Sequence, residues 1–303
     1  MKRYKGEVIQ VITGEKMMTK YKKILIPVAL VLIICLIGYV HASTSKGVTK
    51  TVGDATKSTI TPTLFFHGYG SSYKAEQQMT HYLVEKGDSN TVIRANVSKN
   101  GTVTLSGVID KKAKNPLVEV NYENNRNTNY HQDGQWMKNV IVALQKQYEI
   151  KEFNAVGHSM GNMSIVFYVL DHSSNDKLPK LAKQVNIAGH FNGILRMDDK
   201  ANQMVLDRQA KHQKINATYQ ELLKLRTSYP KNQVSVLNIF GDKNDGSHSD
   251  GSVSNASSQS LRYLISGRTK SYKELKITGK GAQHSKLHEN KVVDRALNRF
   301  LFE

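Results

Sequence analysis

A chain of 303 residues with 39% hydrophobic side chains is long enough for one large α/β domain or two small ones around a buried core. Its 43 Lys+Arg against 25 Asp+Glu give a formal charge of +18, and it has a single cysteine; this excludes a disulfide-stapled scaffold, a Cys-rich zinc or iron–sulfur protein and a wholly disordered chain. The positive charge suits nucleic acid, an anionic membrane or an anionic wall polymer equally, so the choice rests on the rest of the sequence.

Residues 24–40 form an apolar run of seventeen without a charge, preceded by Lys20, Lys22 and Lys23 and followed by small residues that include Ala42. This is the layout of a secretory signal peptide or of an uncleaved single-span anchor, and residues 1–42 are assigned to it. Either form leaves the N-terminus in the cytoplasm and sends the rest of the chain outside, to the cell surface or beyond. Met17 or Met18 would give the more ordinary length before the apolar run. Cys35 sits inside that run without the small residues of a lipoprotein cleavage box, so cleavage leaves a chain with no thiol, a usage that suits a Gram-positive surface. Export, and the lack of a recognised binding motif, argue against a nucleic-acid partner.

Residues 43–61 are rich in Ser, Thr, Lys and Gly and read as a flexible spacer, with the folded domain spanning 62–303. Strands are expected at 63–66, 91–97, 102–109, 117–121, 153–157, 184–188, 234–240 and 272–277. The second and third are joined by a hairpin at Lys99-Asn100-Gly101. Helices are expected at 74–85, 135–148, 162–170 and 287–301. Residues 192–229 are polar and helix-prone. Short strands alternating with helices predict an α/β fold, a mostly parallel sheet covered by helices, with a helical cap or lid inserted at about 190–230.

Gly157-His158-Ser159-Met160-Gly161 follows a predicted strand and opens a predicted helix. In that context G-x-S-x-G is a sharp strand-to-helix turn that exposes the Ser159 hydroxyl as a nucleophile above a helix N-terminus. Upstream, His67-Gly68-Tyr69-Gly70 ends the first strand, and such a loop places the Tyr69 backbone N–H beside that of Met160 as an oxyanion hole. The His67 side chain reads as structural. A base and an orienting acid must follow in the order Ser…Asp…His. Residues 241–253, GDKNDGSHSDGSV, offer Asp242, Asp245 and Asp250, of which Asp250 stands in the D-G-x-V turn that carries the acid in many lipases. Val253 occupies the place where an EF-hand would need Glu, so the loop reads as a solvated turn and no metal is expected. The base is His284, in a G-x-x-H-x-x-L arrangement, with His288 one turn later as its rival. His158, His190 and His248 read as structural residues able to line the pocket.

Taken together, HGYGSS, GHSMGN, SDGSV and AQHSKLHEN resemble the alpha/beta-hydrolase superfamily and, within it, a lipase-like family of Gram-positive cell-surface hydrolases known as domain of unknown function 915. The resemblance runs from about Pro62 to the C-terminus. It implies a doubly wound alpha/beta-hydrolase fold and a serine-hydrolase triad of Ser159, Asp250 and His284, but no substrate. Asn162 departs from the glycine frequent after the elbow in lipases. The expected activity is cleavage of lipid or other acyl esters through an acyl-enzyme, without cofactor. An amidase or peptidase with the same triad and a non-catalytic cell-surface binding protein are the alternatives. Of the +18, residues 1–41 supply seven Lys/Arg and two Asp/Glu, so +13 belongs to the exported part, where wall polymers or anionic lipids are the expected counter-charges.

Overall fold

A computed structural model describes residues 60–303, so the signal or anchor segment (1–42) and nearly all of the spacer (43–61) lie outside the described residues. Eight strands form one sheet: β1 Thr63–Phe66, β2 Val92–Val97, β3 Val103–Ser106, β4 Leu117–Tyr122, β5 Glu152–His158, β6 Lys180–Ile187, β7 Ser235–Asp242 and β8 Ser271–Thr278. Their order across the sheet is β3-β2-β4-β1-β5-β6-β7-β8. Every neighbouring pair is parallel except β2 with β3, the hairpin expected around Asn100. β1 lies between β4 and β5 in register, with Phe66 opposite Gly157, so the loops after β1 and β5 emerge side by side. This is the alpha/beta-hydrolase architecture.

The central strands are apolar on both faces because helices cover both. On β1, Leu64 and Phe66 pack into one core with Met137, Val140 and Ile141 of α2 Tyr130–Tyr148 and with Ile165 and Phe167 of α3 Met160–His172. Phe65, between them, enters a second core with Met79 and Leu83 of α1 Gln77–Glu85 and with Val293 and Leu297 of α8 Lys291–Phe302. Alternation along a single strand thus divides the molecule into two layers. The remaining helices are short: α4 Ala217–Leu222, α5 Leu225–Ser228, α6 Asn255–Gln259 and α7 Leu261–Ile265.

Several boundaries differ from the sequence expectation. α2 begins five residues earlier than expected, at Tyr130, because the Asn129 side chain accepts the Gln132 N–H as an N-cap. The expected helix at 287–301 is two elements: a 3-10 segment His284–Glu289, then α8, which starts only after Asn290 caps the Val292 N–H. His288 therefore precedes the terminal helix and is not on its first turn. Within the insertion, helix is confined to α4 and α5. Residues 191–216 are turns held by side chains, with Asn192 bonding Lys214 O and Asn216 N–H and Asp198 bonding Ile194 N–H and the Asn216 amide. Gly193, Arg196, Asn202 and Ala210 all take positive φ there, which no helix accommodates. Among the described residues no helix is long and apolar enough to cross a membrane.

A buried acidic group sits just past the loop that follows β1. Glu119 on β4 is satisfied by Thr80 Oγ1 (3.0 Å) and Arg94 (3.3 Å), whereas neither carboxyl oxygen of the fully buried Glu76 has a hydrogen-bond partner among the described residues. Burial, with repulsion from Glu119, pushes the Glu76 carboxyl from its ordinary 4.5 up to about 8. Between those values the folded chain keeps a proton that the unfolded chain has lost. The contribution of Glu76 to stability is therefore complete below about pH 4.5, falls as the pH rises, and levels off above about 8. Glu76→Gln removes that slope, so in thermal melts its Tm relative to wild type should climb steadily from pH 5 to pH 8. A Tm difference independent of pH over that range would contradict a neutral buried Glu76.

Candidate active site

The turn from β5 into α3 is tight because both flanking glycines are in backbone contact. A Cβ on Gly157 would lie 2.7 Å from Asn162 N, and one on Gly161 would collide with the Phe66 carbonyl at the end of β1. Between them Ser159 is held at φ 52°, ψ −118°, a strained backbone that thrusts its side chain out of the turn. Asn162, the departure from the lipase pattern, secures this strain. Its Nδ2 donates to Ser159 O and to Ile187 O, both at 2.9 Å, and the Ser159 N–H also donates to Ile187 O. A glycine at 162 could make neither side-chain bond. Sequence reading missed this role, although a buried amide beside a strained serine is the signal that carries it.

The structure brings Ser159, His284 and Asp250 together across 125 residues of sequence. His284 Nε2 is 2.9 Å from Ser159 Oγ, and His284 Nδ1 is 2.7 Å from Asp250 Oδ2. Asp250 is buried, and its other oxygen accepts the backbone N–H groups of Ser252 (2.8 Å) and Val253 (2.7 Å). That turn fixes the carboxylate rotamer and leaves Oδ2 facing the imidazole. The acceptor on its Nδ1 side makes His284 carry the proton there, so Nε2 faces the hydroxyl with a lone pair. The backbone N–H of His284 also donates to Asp250 O, and its carbonyl lies 3.1 Å from His158 Nε2. The residue before the nucleophile thus tethers the segment that bears the imidazole.

The rival acids are occupied elsewhere. Asp242 Oδ2 binds Lys276 Nζ at 2.6 Å and the Asn255 amide at 2.8 Å. Burial raises the Asp242 pKa, but the bonds from Lys276, Asn244 and Asn255 outweigh it and hold the group down to about 2. Asp245 is exposed and paired with Lys243 at 2.7 Å. His288 does not reach Ser159. It packs edge-on 4.7 Å from the His158 ring, and burial lowers its pKa.

Tyr69 and Met160 stand at the two turns that meet beside Ser159. His67 Nε2 accepts the Tyr122 N–H at 3.2 Å, so its Nδ1 carries the proton and donates to Gly68 O at 2.9 Å; the Ser71 N–H donates to the same carbonyl. A trans peptide points its N–H opposite to its C=O, so the Tyr69 N–H is turned away from those two donors. Neither it nor the Met160 N–H, the first of α3, donates to another group among the described residues. His67 is structural, as its sequence context suggested, and burial lowers its pKa.

The serine opens into a cavity of about 470 Å³ whose walls include Tyr69, Tyr130, His158, His190 and His288, with Ile194 and Met197 from the insertion. His158 and His190 line it as anticipated. His248 does not: it is exposed on the far side of the acidic loop, 3.6 Å from Asp242. No cluster of His, Cys, Asp and Glu able to hold a metal occurs among the described residues.

The family described as "Alpha/beta hydrolase of unknown function (DUF915)" matches residues 50–303. The chain belongs to this family. A solved structure, the product of the Listeria innocua gene lin2722, is 25% identical to the chain over 80% of it and 94% of the Listeria chain, with a TM-score of 0.72. A candidate cell surface hydrolase of Lactobacillus plantarum WCFS1 is 22% identical over 80% of this chain and 90% of its own, with a TM-score of 0.64. No match was found among curated proteins.

Proposed function

We propose that this DUF915 protein is an exported serine hydrolase that cleaves acyl esters through an acyl-enzyme. The observation that carries the reading is the line of two hydrogen bonds, 2.9 Å and 2.7 Å, joining Ser159, His284 and Asp250 at a strained strand-to-helix turn. His284 Nε2 takes the hydroxyl proton as Ser159 Oγ attacks the ester carbonyl. Asp250 keeps the imidazole in the right tautomer and stabilises its positive form. The carbonyl oxygen becomes an oxyanion facing the Tyr69 and Met160 N–H groups, which have no competing acceptor among the described residues. His284 then gives its proton to the departing alcohol. Water, activated by the same imidazole, attacks the acyl-enzyme and restores Ser159.

Residues 1–42 serve in this reading as signal peptide or membrane anchor, 43–61 as spacer and 62–303 as the hydrolase domain. The +13 outside residues 1–41 would face anionic wall polymers or lipid headgroups. The test is an activity-based probe. A fluorophosphonate should label the wild type and leave Ser159→Ala unlabelled. No labelling of folded wild type, with no turnover of any 4-nitrophenyl ester, would refute the proposal.

A further inference from the structure

The cavity beside Ser159 carries polar groups that ester hydrolysis itself does not use. Among the described residues, no Asp, Glu, Lys or Arg lines it. His190, at the end of the turn after β6, is buried to 5% exposure, yet its ring bonds to no residue other than its own backbone. Burial holds it neutral, down to about 4, so one ring nitrogen donates and the other accepts. Its ring packs 6.0 Å from that of Tyr130, whose hydroxyl also has no partner among the described residues. Thr128 and Ser71, which also line the cavity, add two more hydroxyls without side-chain bonds among the described residues. Tyr69, half exposed, also lines the cavity, with the Arg126 guanidinium 5.4 Å from the centre of its ring.

An unbranched acyl chain seated here would strip water from His190 and Tyr130 and return nothing, which penalises it. A charged group would enter a cavity whose lining offers no Asp, Glu, Lys or Arg to pair with it. A ligand with adjacent hydroxyls fits both demands, because each hydroxyl donates and accepts as the imidazole and phenol do, and its C–H face can lie on the Tyr69 ring. Sites built in this way discriminate sharply against analogues that lack the hydroxyls.

We infer that the ester this site takes is that of an uncharged polyol, a sugar or glycerol, with His190 and Tyr130 as the side chains that recognise its hydroxyls. The inference rests on the serine-hydrolase reading above and adds the substrate class. The positive surface would then hold an anionic polymer or membrane while the uncharged, hydroxylated part enters the cavity.

The test compares kcat/KM of the full-length protein on glucose 6-acetate, glycerol monoacetate and cyclohexylmethyl acetate, which shares the ring of the sugar ester without its hydroxyls. The sugar or glycerol ester should exceed the cyclohexyl ester by about tenfold or more. Whichever of the two leads identifies the source of the polyol. Tyr130→Phe, which keeps the ring packing, and His190→Ala should each shrink that ratio by about tenfold, chiefly through KM on the polyol ester. An equal or greater rate on cyclohexylmethyl acetate, or a ratio that neither variant changes, overturns the inference. Turnover of 4-nitrophenyl acetate without polyol preference would sink this inference alone. Loss of every ester, with no fluorophosphonate labelling, would sink the proposed function and this inference with it.

Discussion

His284→Ala should lower kcat on an activated ester by about 10⁶-fold, whereas His288→Gln should cost less than about tenfold. Both histidines lie on one 3-10 segment, and either was admissible from sequence. The difference follows from reach: His284 spans the gap between Ser159 Oγ and Asp250 Oδ2, while His288 faces the His158 ring. Without the imidazole, the hydroxyl keeps its proton at the moment of attack and the leaving alcohol has no acid. Asp250→Ala should cost about 10⁴-fold, less than the loss of the base, because the imidazole remains but loses its tautomer and orientation. Asp242→Asn should leave the chemical step nearly intact, since Asp242 spends its charge on Lys276. Pre-steady-state acylation with 4-nitrophenyl acetate reads all four variants directly. If His288→Gln or Asp242→Asn fell as far as its rival, the assignment of base or acid would have to be exchanged.

The features legible from sequence were those with a local cause. TLFF reads as a buried strand because four apolar residues end at His-Gly, and GHSMG reads as an elbow because its glycines flank a serine between a strand and a helix. Helix α2 was underestimated at its start because the first residues after Asn129 are polar and only the cap reveals the turn. The Ser-rich stretch of α6 and α7 carried no expected element. Its helices form because the serines are buried and satisfied: Ser257 Oγ donates to Gly193 O and Ser258 Oγ to Gly189 O. Those same bonds fasten α6 to the turn that carries His190 to the cavity. The D-G-x-V turn pointed to Asp250 locally, but what occupies Asp242 could not be read that way, because Lys276 arrives from β8, 34 residues later. Long-range pairing, not propensity, settles such positions.

Gly161→Ala should be among the most damaging single-methyl changes in the domain, costing more than about 4 kcal/mol in urea or thermal unfolding. The added Cβ would be driven into the peptide carbonyl of Phe66, with Phe66 C at 2.7 Å and Phe66 Cβ at 2.9 Å. The contact sets the backbone of α3 against the backbone at the end of β1, so no side chain can swing away to relieve it. Phe66 closes β1 and is followed at once by His67 and Gly68, which orient the Tyr69 N–H. Any retreat of β1 that accommodates the methyl therefore widens the distance between the Tyr69 and Met160 donors. A folded fraction of the variant should consequently lose fluorophosphonate reactivity beyond its loss of stability. Gly267→Ala is the matched comparison: nothing stands within 4 Å of its added Cβ, its φ is outside the left-handed region, and its effect should stay within about 0.5 kcal/mol. Wild-type Tm and labelling in Gly161→Ala would mean that α3 does not rest on the end of β1, and with that the coupling between nucleophile and oxyanion donors would fail.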